Sequence, residues 1–212
     1  MKILLMTLLL IFGALPAAAE TLQLQYQQFY SHMRKLDGDD TQALQFAFGF
    51  LNDTTGRLCN IQQASIVTPK QTLPIEISSE QRFTLPAEKA LKLAEATIDV
   101  ELAAHSGQCD MSVQLETRPQ YLKSYYSADE LSMLVGQYEA FFNEMGSFLS
   151  FMMPSVKGLS FQFANPYLQR PLKDAPHITS GLLQLPSDWL QQDKPLVLPE
   201  APIRITAIAS TQ

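Results

Sequence analysis

The chain has 212 residues, of which 46% are hydrophobic and 17% are charged, a composition typical of a globular protein. Acidic side chains outnumber basic ones by 21 to 15, which gives a net charge of −6. Because a surface of this sign repels phosphate backbones, nucleic acid is not expected as a partner.

Residues 1–19 have the pattern of a secretory leader. Lys2 precedes an apolar stretch from Ile3 to Leu15, and three alanines at residues 17–19 supply the small side chains of a cleavage site. We therefore expect export to the periplasm, with cleavage after Ala19. The apolar stretch is shorter than the roughly 20 residues that span a bilayer. We predict no transmembrane segment in the mature chain.

The first part of the mature chain, residues 20–126, predicts one helix and an antiparallel β unit. Apolar side chains recur at helical spacing in residues 22–36, and the acidic turn DGDD at residues 37–40 ends that helix. Residues 44–50 alternate between apolar and polar or small, as strands do. Further strand patterns follow to residue 116, joined by predicted hairpins.

Cys59 and Cys109 are the two cysteines of the chain. In an exported protein two cysteines predict one disulfide, which we place inside the β unit. A bridge closing a loop of about 50 residues would stabilise the fold by roughly 4 kcal/mol. Two reduced, buried thiols are the alternative. A catalytic thiol is disfavoured because the sequence has no CxxC motif.

The remainder, residues 127–212, predicts a long helix and a smaller β unit. SADE at residues 127–130 fits a capping box. Apolar residues then recur in steps of three and four up to Met152, and polar residues interrupt the run, so that the helix does not span a membrane. We interpret the stripe as core-facing, with a docking face as the alternative. The whole chain predicts an α+β fold: an antiparallel sheet or sandwich with two amphipathic helices on it, packed as one domain.

Two octapeptides suggest two imperfect tandem halves. YQQFYSHM at residues 26–33 and YEAFFNEM at residues 138–145 place tyrosine, phenylalanine and methionine at the same helical positions. Three further matches follow in one order: ALQFAF with GLSFQF, FTLPAEKAL with LQLPSDWL, and EATIDV with EAPIRI. An internal duplication explains this order. Two similar amphipathic patterns are the alternative, and the second half has no counterpart of the cysteines.

The cysteine pair, Leu85-Pro86 and YLKSYY at residues 121–126 resemble an exported gammaproteobacterial family, domain of unknown function 2987. The resemblance covers residues 25–170. It implies a periplasmic location, and it implies no activity, substrate or catalytic residue.

The sequence contains no catalytic, nucleotide-binding or zinc-binding signature, and no cofactor is expected. The histidines, His32, His105 and His177, lie in three separate segments. We predict that His32 is partly buried beside a helix stripe and that the other two are solvated. A catalytic triad assembled in space stays open, since triads are not sequential.

Clustered carboxylates at Asp37, Asp39 and Asp40 make a weak candidate for a calcium site. The segment lacks the twelve-residue loop pattern and a distal bidentate glutamate. A solvated turn that ends the helix is therefore favoured.

The best candidate binding site lies directly before the long helix. Tyrosines with adjacent cations are common at recognition surfaces, and their rings can stack on sugars. We expect Tyr125 and Tyr126 to be exposed; the alternative is that the rings pack under the helix. The candidate residues are Arg118, Tyr121, Lys123, Tyr125 and Tyr126.

Two classes of function follow from these patterns. A non-catalytic module that binds an envelope protein or a glycan is favoured, because catalytic motifs are absent from the sequence. The alternative is a hydrolase of cell-envelope glycan or peptide, in which folding brings two carboxylates into one cleft.

Overall fold

The structure is a computed structural model, and it describes residues 20–103, 109–145 and 155–210. The predicted leader, His105 and the part of the predicted second helix beyond residue 145 lie outside the described residues. Within the described ranges, no helix is long and apolar enough to cross a membrane.

The chain contains both helices and antiparallel strands, with several strands in succession between helices, which confirms the α+β prediction. Short 3-10 turns lie at Arg34–Leu36 and Pro119–Tyr121. The helices are α1 (Tyr26–Met33), α2 (Lys89–Leu93), α3 (Ala128–Met145) and α4 (Ser187–Leu190). The strands are β1 (Glu20–Gln25), β2 (Leu44–Asn52), β3 (Ile61–Val67), β4 (Thr72–Pro74), β5 (Thr97–Leu102), β6 (Cys109–Thr117), β7 (Tyr125–Tyr126), β8 (Val156–Gln162), β9 (Arg170–Leu172), β10 (Ala175–Ile178), β11 (Leu182–Pro186), β12 (Leu196–Val197) and β13 (Arg204–Ala209).

The strands pair in several small antiparallel sheets. A four-stranded sheet has the order β1-β5-β3-β4, and a three-stranded sheet has the order β11-β8-β13. The long strands β2 and β6 form a ribbon, and β7–β12 and β9–β10 form two shorter pairs. The ribbon adjoins the three-stranded sheet, since Arg204 of β13 donates a hydrogen bond to Gln114 of β6 at 3.3 Å.

The first helix begins at Tyr26, so the predicted start at residue 22 is wrong. The preceding residues form β1, whose register with β5 runs from Glu20 opposite Leu102 to Gln25 opposite Thr97. Leu22 and Leu24 alternate with exposed polar side chains, and this period of two suits a strand. The spacing of Leu22 and Tyr26 also fits a helix, and the pairing with β5 decides between the two.

The second helix has the predicted capping box. The Ser127 N–H donates to Glu130 Oε2 at 3.0 Å, and the Glu130 N–H donates to Ser127 Oγ at 3.2 Å. Leu131, Leu134 and Tyr138 of its stripe are buried. The stripe therefore faces the core up to Phe141, as predicted, whereas Met145 at the end of α3 is exposed.

The predicted disulfide is confirmed. Cys59 and Cys109 are bridged with an S–S distance of 2.03 Å and a Cα–Cα distance of 6.4 Å. Cys109 begins β6, and Cys59 lies just before β3. The bridge therefore ties the ribbon to the four-stranded sheet.

The apolar side chains form two clusters. The first cluster joins α1, α2 and the four-stranded sheet to the C-terminal end of β2. The second cluster joins α3, α4 and the three-stranded sheet to the start of β2. Phe46, in the middle of β2, packs against both clusters.

The two halves of the chain share one order of elements and pairings. In the first half, β1 pairs with β5, β2 with β6, and β3 with β4. In the second half, β7 pairs with β12, β8 with β13, and β9 with β10. In the second half, β11 ends at Leu185-Pro186 and pairs with β8. In the first half, Phe83 lies just before Leu85-Pro86 and forms an isolated β-bridge with Phe48 of β2.

This repeated topology supports two imperfect tandem halves and corrects one sequence match. EATIDV runs into β5 and EAPIRI runs into β13. By its pairing, however, β13 corresponds to β6, and β5 corresponds to β12. Strand β5 also pairs with β3, a contact that the second half does not repeat among its described residues.

Candidate functional site: an apolar groove between two helices

An apolar groove of about 600 Å³ runs between α1 and α3 across the β2–β6 ribbon. Two helices form its sides and the ribbon forms its floor. The lining residues are Gln28, Phe29 and His32 of α1, Phe46 and Phe48 of β2, Met111 and Val113 of β6, and Phe141 and Met145 of α3.

Aromatic contacts close the β2 side of the groove. The rings of Phe29 and Phe48 meet edge to face with centroids 4.9 Å apart, which fixes α1 on the ribbon. The rings of Phe46 and Phe141 meet in the same way at 5.7 Å, which fixes α3. Each octapeptide thus uses an aromatic side chain to hold its helix beside the same strand.

The β6 side of the groove remains open. Val113 lies opposite Phe48 in the ribbon register, and Met111 lies opposite Phe50, so that both face the same side as the aromatic floor. Yet Val113 is 52% exposed, Met111 is 44% exposed, and Met145 on α3 is 42% exposed. Three large apolar side chains are therefore in contact with solvent around one groove.

The polar groups at the groove lie at its rim. Gln28 and His32 are the polar residues of the lining, and no carboxylate is present among the described lining residues. The Lys35 ammonium lies 3.4 Å from the sulfur of Met145. His32 is exposed at this rim, so the prediction that it is partly buried is wrong. The buried stripe of α1 passes beside it through Phe29 and Met33.

The residues predicted to form a binding surface do not lie on one exposed surface. Tyr125 is 54% exposed, whereas Tyr126 is 1% exposed, so the expected exposure of Tyr126 is wrong. These residues are neighbours in β7, and neighbours in a strand point to opposite faces. Tyr126 pairs with the buried Leu196, and Tyr125 pairs with the exposed Val197.

The other predicted residues make contacts within the fold. The Tyr126 hydroxyl accepts a hydrogen bond from the Lys123 N–H at 2.7 Å and donates one to the Tyr121 carbonyl at 3.0 Å. Arg118 Nε donates to the Leu44 carbonyl at 2.8 Å. The Lys123 ammonium pairs with Glu130. The segment therefore forms a packed corner before α3, and Tyr125 is its exposed ring.

The aspartates proposed as a weak calcium site are exposed in the turn before β2. Across the described ranges, no three His, Cys, Asp or Glu side chains are placed to hold a metal ion. His177, in β10, is exposed, as predicted.

Residues 18–163 match the model of a family described as protein of unknown function (DUF2987). The chain belongs to this family. The resemblance to this family, which was based on the cysteine pair, Leu85-Pro86 and residues 121–126, is therefore confirmed. No curated protein and no solved structure matches the chain.

The DUF2987 match contains every residue that lines the groove, from Gln28 to Met145, whereas β9 to β13 lie beyond it. A second, polar cleft of about 280 Å³ lies on the other side of the ribbon, lined in part by Gln45 and Glu116. Each face of the ribbon thus carries one candidate site.

Burial controls the electrostatics of this polar cleft. It raises the pKa of Glu116, although a hydrogen bond from Gln45 at 3.0 Å favours the ionised form. Burial and the nearby Arg204 lower the pKa of Arg82. Arg82 Nε is buried without a hydrogen-bond partner among the described residues. Arg204 pairs with Glu80 at 3.2 Å, which leaves Glu116 without an ion pair of its own among the described side chains.

Proposed function

We propose that the protein is exported to the periplasm and acts there as a non-catalytic module that binds an apolar segment of another envelope protein. The leader pattern and the resemblance to an exported family support export. The disulfide also supports it, because disulfides persist in oxidising compartments such as the periplasm.

The groove between α1 and α3 carries the proposal. Centres of protein interfaces are enriched in aromatic residues and methionine and depleted of charge. The groove has this composition: its lining includes four phenylalanines and two methionines, and none of the described lining residues is an aspartate or a glutamate. Its volume of about 600 Å³ can receive several apolar side chains.

The same composition argues against a glycan in this groove. Sugar hydroxyl groups lose hydrogen bonds to water on binding, and the site must replace them. Gln28 and His32 alone supply polar side chains among the described lining residues. An amphipathic segment that inserts apolar side chains needs no such replacement, and binding in a groove between helices is a common mode of peptide recognition.

Site-specific photo-crosslinking in cells tests this proposal. A photoreactive amino acid at Val113, inside the groove, should crosslink to a discrete periplasmic protein. The same amino acid at Leu93, which is 72% exposed on α2 and outside the groove, is the control and should give no such product.

A matched pair of charge substitutions completes the experiment. Val113→Asp should abolish the crosslinked complex when the photoreactive group is moved to Met111, while Leu93→Asp should leave it intact. Both side chains are exposed, so both variants should melt near the wild-type temperature. Identical products from Val113 and Leu93 would refute binding at the groove, and retention of the chain in the cytoplasm would refute export.

A hydrolase of envelope glycan is a second candidate, favoured by the polar cleft. Glu76, Glu80 and Glu116 line this one cleft, and a carboxyl group whose pKa is raised by burial suits a general acid. The mature chain should then release soluble fragments from purified peptidoglycan. Glu116→Gln should stop the release, and Glu144→Gln on the exposed end of α3 should not. Absence of soluble fragments would eliminate this candidate.

A further inference from the structure

We propose that a cationic cleft in the second half of the chain binds an organic phosphate, that is, a phosphate ester carried on a saccharide or lipid body. The cleft has a volume of about 770 Å³ and lies between the β9–β10 hairpin and residues 194–199. It is separate from the groove between α1 and α3 and shares no lining residue with it. The inference therefore does not depend on the function proposed for that groove.

The charge of the cleft is opposite to that of the whole protein. Arg170, Lys173 and Lys194 line it together with one carboxylate, Asp174. All three cations are exposed, and the ion pairs found among the described side chains lie elsewhere. In a chain with a net charge of −6, this cleft concentrates uncompensated positive charge.

Of the two turns that present the lysines, the hairpin turn at Lys173 is held in place by a buried side chain. Asp174 follows Lys173 with φ of 59°, and Asp193 precedes Lys194 with φ of 51°. Aspartate tolerates this left-handed conformation better than most residues. Trp189 of α4 is buried, and its Nε1–H donates to the Asp174 carbonyl at 2.9 Å. The hairpin turn is therefore anchored, which reduces the entropy lost on binding.

An apolar wall lies beside the cations. Prolines at residues 171, 195 and 199 contribute to it, together with Val197, which is 66% exposed. Tyr125 lies opposite Val197 in the β7–β12 pair and is also exposed, so the wall continues onto a tyrosine ring. Such a surface suits the body of a ligand whose charged group reaches the cations.

The cation set matches a phosphate ester. A phosphate monoester carries about 1.5 to 2 negative charges at neutral pH, close to the excess of three cations over one carboxylate. The arginine guanidinium can contact phosphate oxygens in a bidentate manner, and the lysines add mobile point charges. A soluble sugar phosphate and the headgroup of phosphatidic acid are both phosphate monoesters and share this chemistry.

Titration of the mature chain, residues 20–212, with glucose 1-phosphate tests the proposal, and NMR spectroscopy can follow it. Backbone shifts should concentrate at residues 170–174 and 194–198, and uncharged glucose should produce none. Arg170→Gln combined with Lys173→Gln should weaken binding by about tenfold to a hundredfold, because each of the two charge-assisted contacts contributes up to about a factor of ten. The matched control, Arg57→Gln with Lys70→Gln, removes the same exposed charges outside the cleft and should change the affinity less than twofold.

Vesicles separate the two sources of phosphate. Cosedimentation with vesicles that contain phosphatidic acid, but not with phosphatidylcholine vesicles, would assign the phosphate to a lipid headgroup, provided that the cleft variant loses it. Binding of glucose 1-phosphate alone would assign a soluble ligand. The proposal is wrong if neither probe binds, or if the control variant weakens binding as much as the cleft variant does. It is also wrong if sodium sulfate, compared at equal ionic strength, binds the cleft as tightly as glucose 1-phosphate does.

Discussion

Replacing Tyr138 with phenylalanine removes one oxygen atom from the junction between the two halves. The ring of Tyr138 is fully buried on α3. Its hydroxyl donates to the Ile205 carbonyl of β13 at 2.8 Å and lies 3.0 Å from the Thr117 hydroxyl of β6. Burial also raises the pKa of this phenol, so it stays protonated as a donor. One side chain therefore joins α3 to a strand of each half.

The expected loss of stability follows from these contacts. Without the hydroxyl, the Ile205 carbonyl loses a donor and the Thr117 hydroxyl loses an acceptor in a buried environment. Each buried polar group left without a partner costs about 1–3 kcal/mol. We expect Tyr138→Phe to lower the free energy of unfolding by about 2–6 kcal/mol. Each kcal/mol lowers the melting temperature by roughly 2–4 °C in a chain of this length.

Urea unfolding followed by circular dichroism measures the loss. Tyr125→Phe removes the same atom from a ring that is 54% exposed and should change stability by less than about 0.5 kcal/mol. In a double-mutant cycle, Tyr138→Phe and Thr117→Val should couple by about 1 kcal/mol. The reasoning fails if Tyr138→Phe behaves like the exposed control or if the two changes are additive.

Three further outcomes are expected. Replacing Cys59 and Cys109 with serine opens a loop with a sequence separation of 50 and should cost about 4 kcal/mol in urea unfolding; an unchanged midpoint would contradict this. The raised pKa of Glu116 means that the folded state holds the proton more tightly, so stability falls as pH rises above the ordinary value of 4.5. Glu116→Gln should therefore be most stabilising, relative to wild type, near pH 7, and this advantage should shrink as melting is repeated towards pH 4.5. Gly158→Ala should prevent soluble expression or lower the melting temperature by many degrees, because a Cβ atom there would lie 2.1 Å from the Leu185 carbonyl oxygen.

Local patterns in the sequence were enough to predict a structural feature where the interaction that forms it is itself local or covalent. The capping box at Ser127 and Glu130 is one example, and the disulfide is another, because two cysteines allow a single pairing. The segment before Tyr26 was not predictable in this way. Its apolar spacing fits a helix and a strand, and the partner that decides, β5, begins at Thr97.

The candidate site depended on contacts between distant residues. Sequence reasoning identified both helix stripes, but the groove requires that α1 and α3 lie on one ribbon with Met111 and Val113 uncovered. The alternation of these residues with Asp110 and Ser112 indicates a strand, and it does not show which face a helix covers. The prediction for Tyr126 was wrong for a related reason, since the pairing with β12 sets which of the two tyrosines faces the core.

The composition of the two clusters sets an order in which they can be completed as the chain emerges from its N-terminus into the compartment where it folds. Every member of the first cluster lies between Leu22 and Cys109, so this cluster can close before the C-terminal strands have emerged. The second cluster takes Leu36 and Leu44 from the N-terminal part of the chain and ends with residues of β13. Its assembly must therefore wait for nearly the whole chain, and it forms against a surface that the first cluster has already positioned.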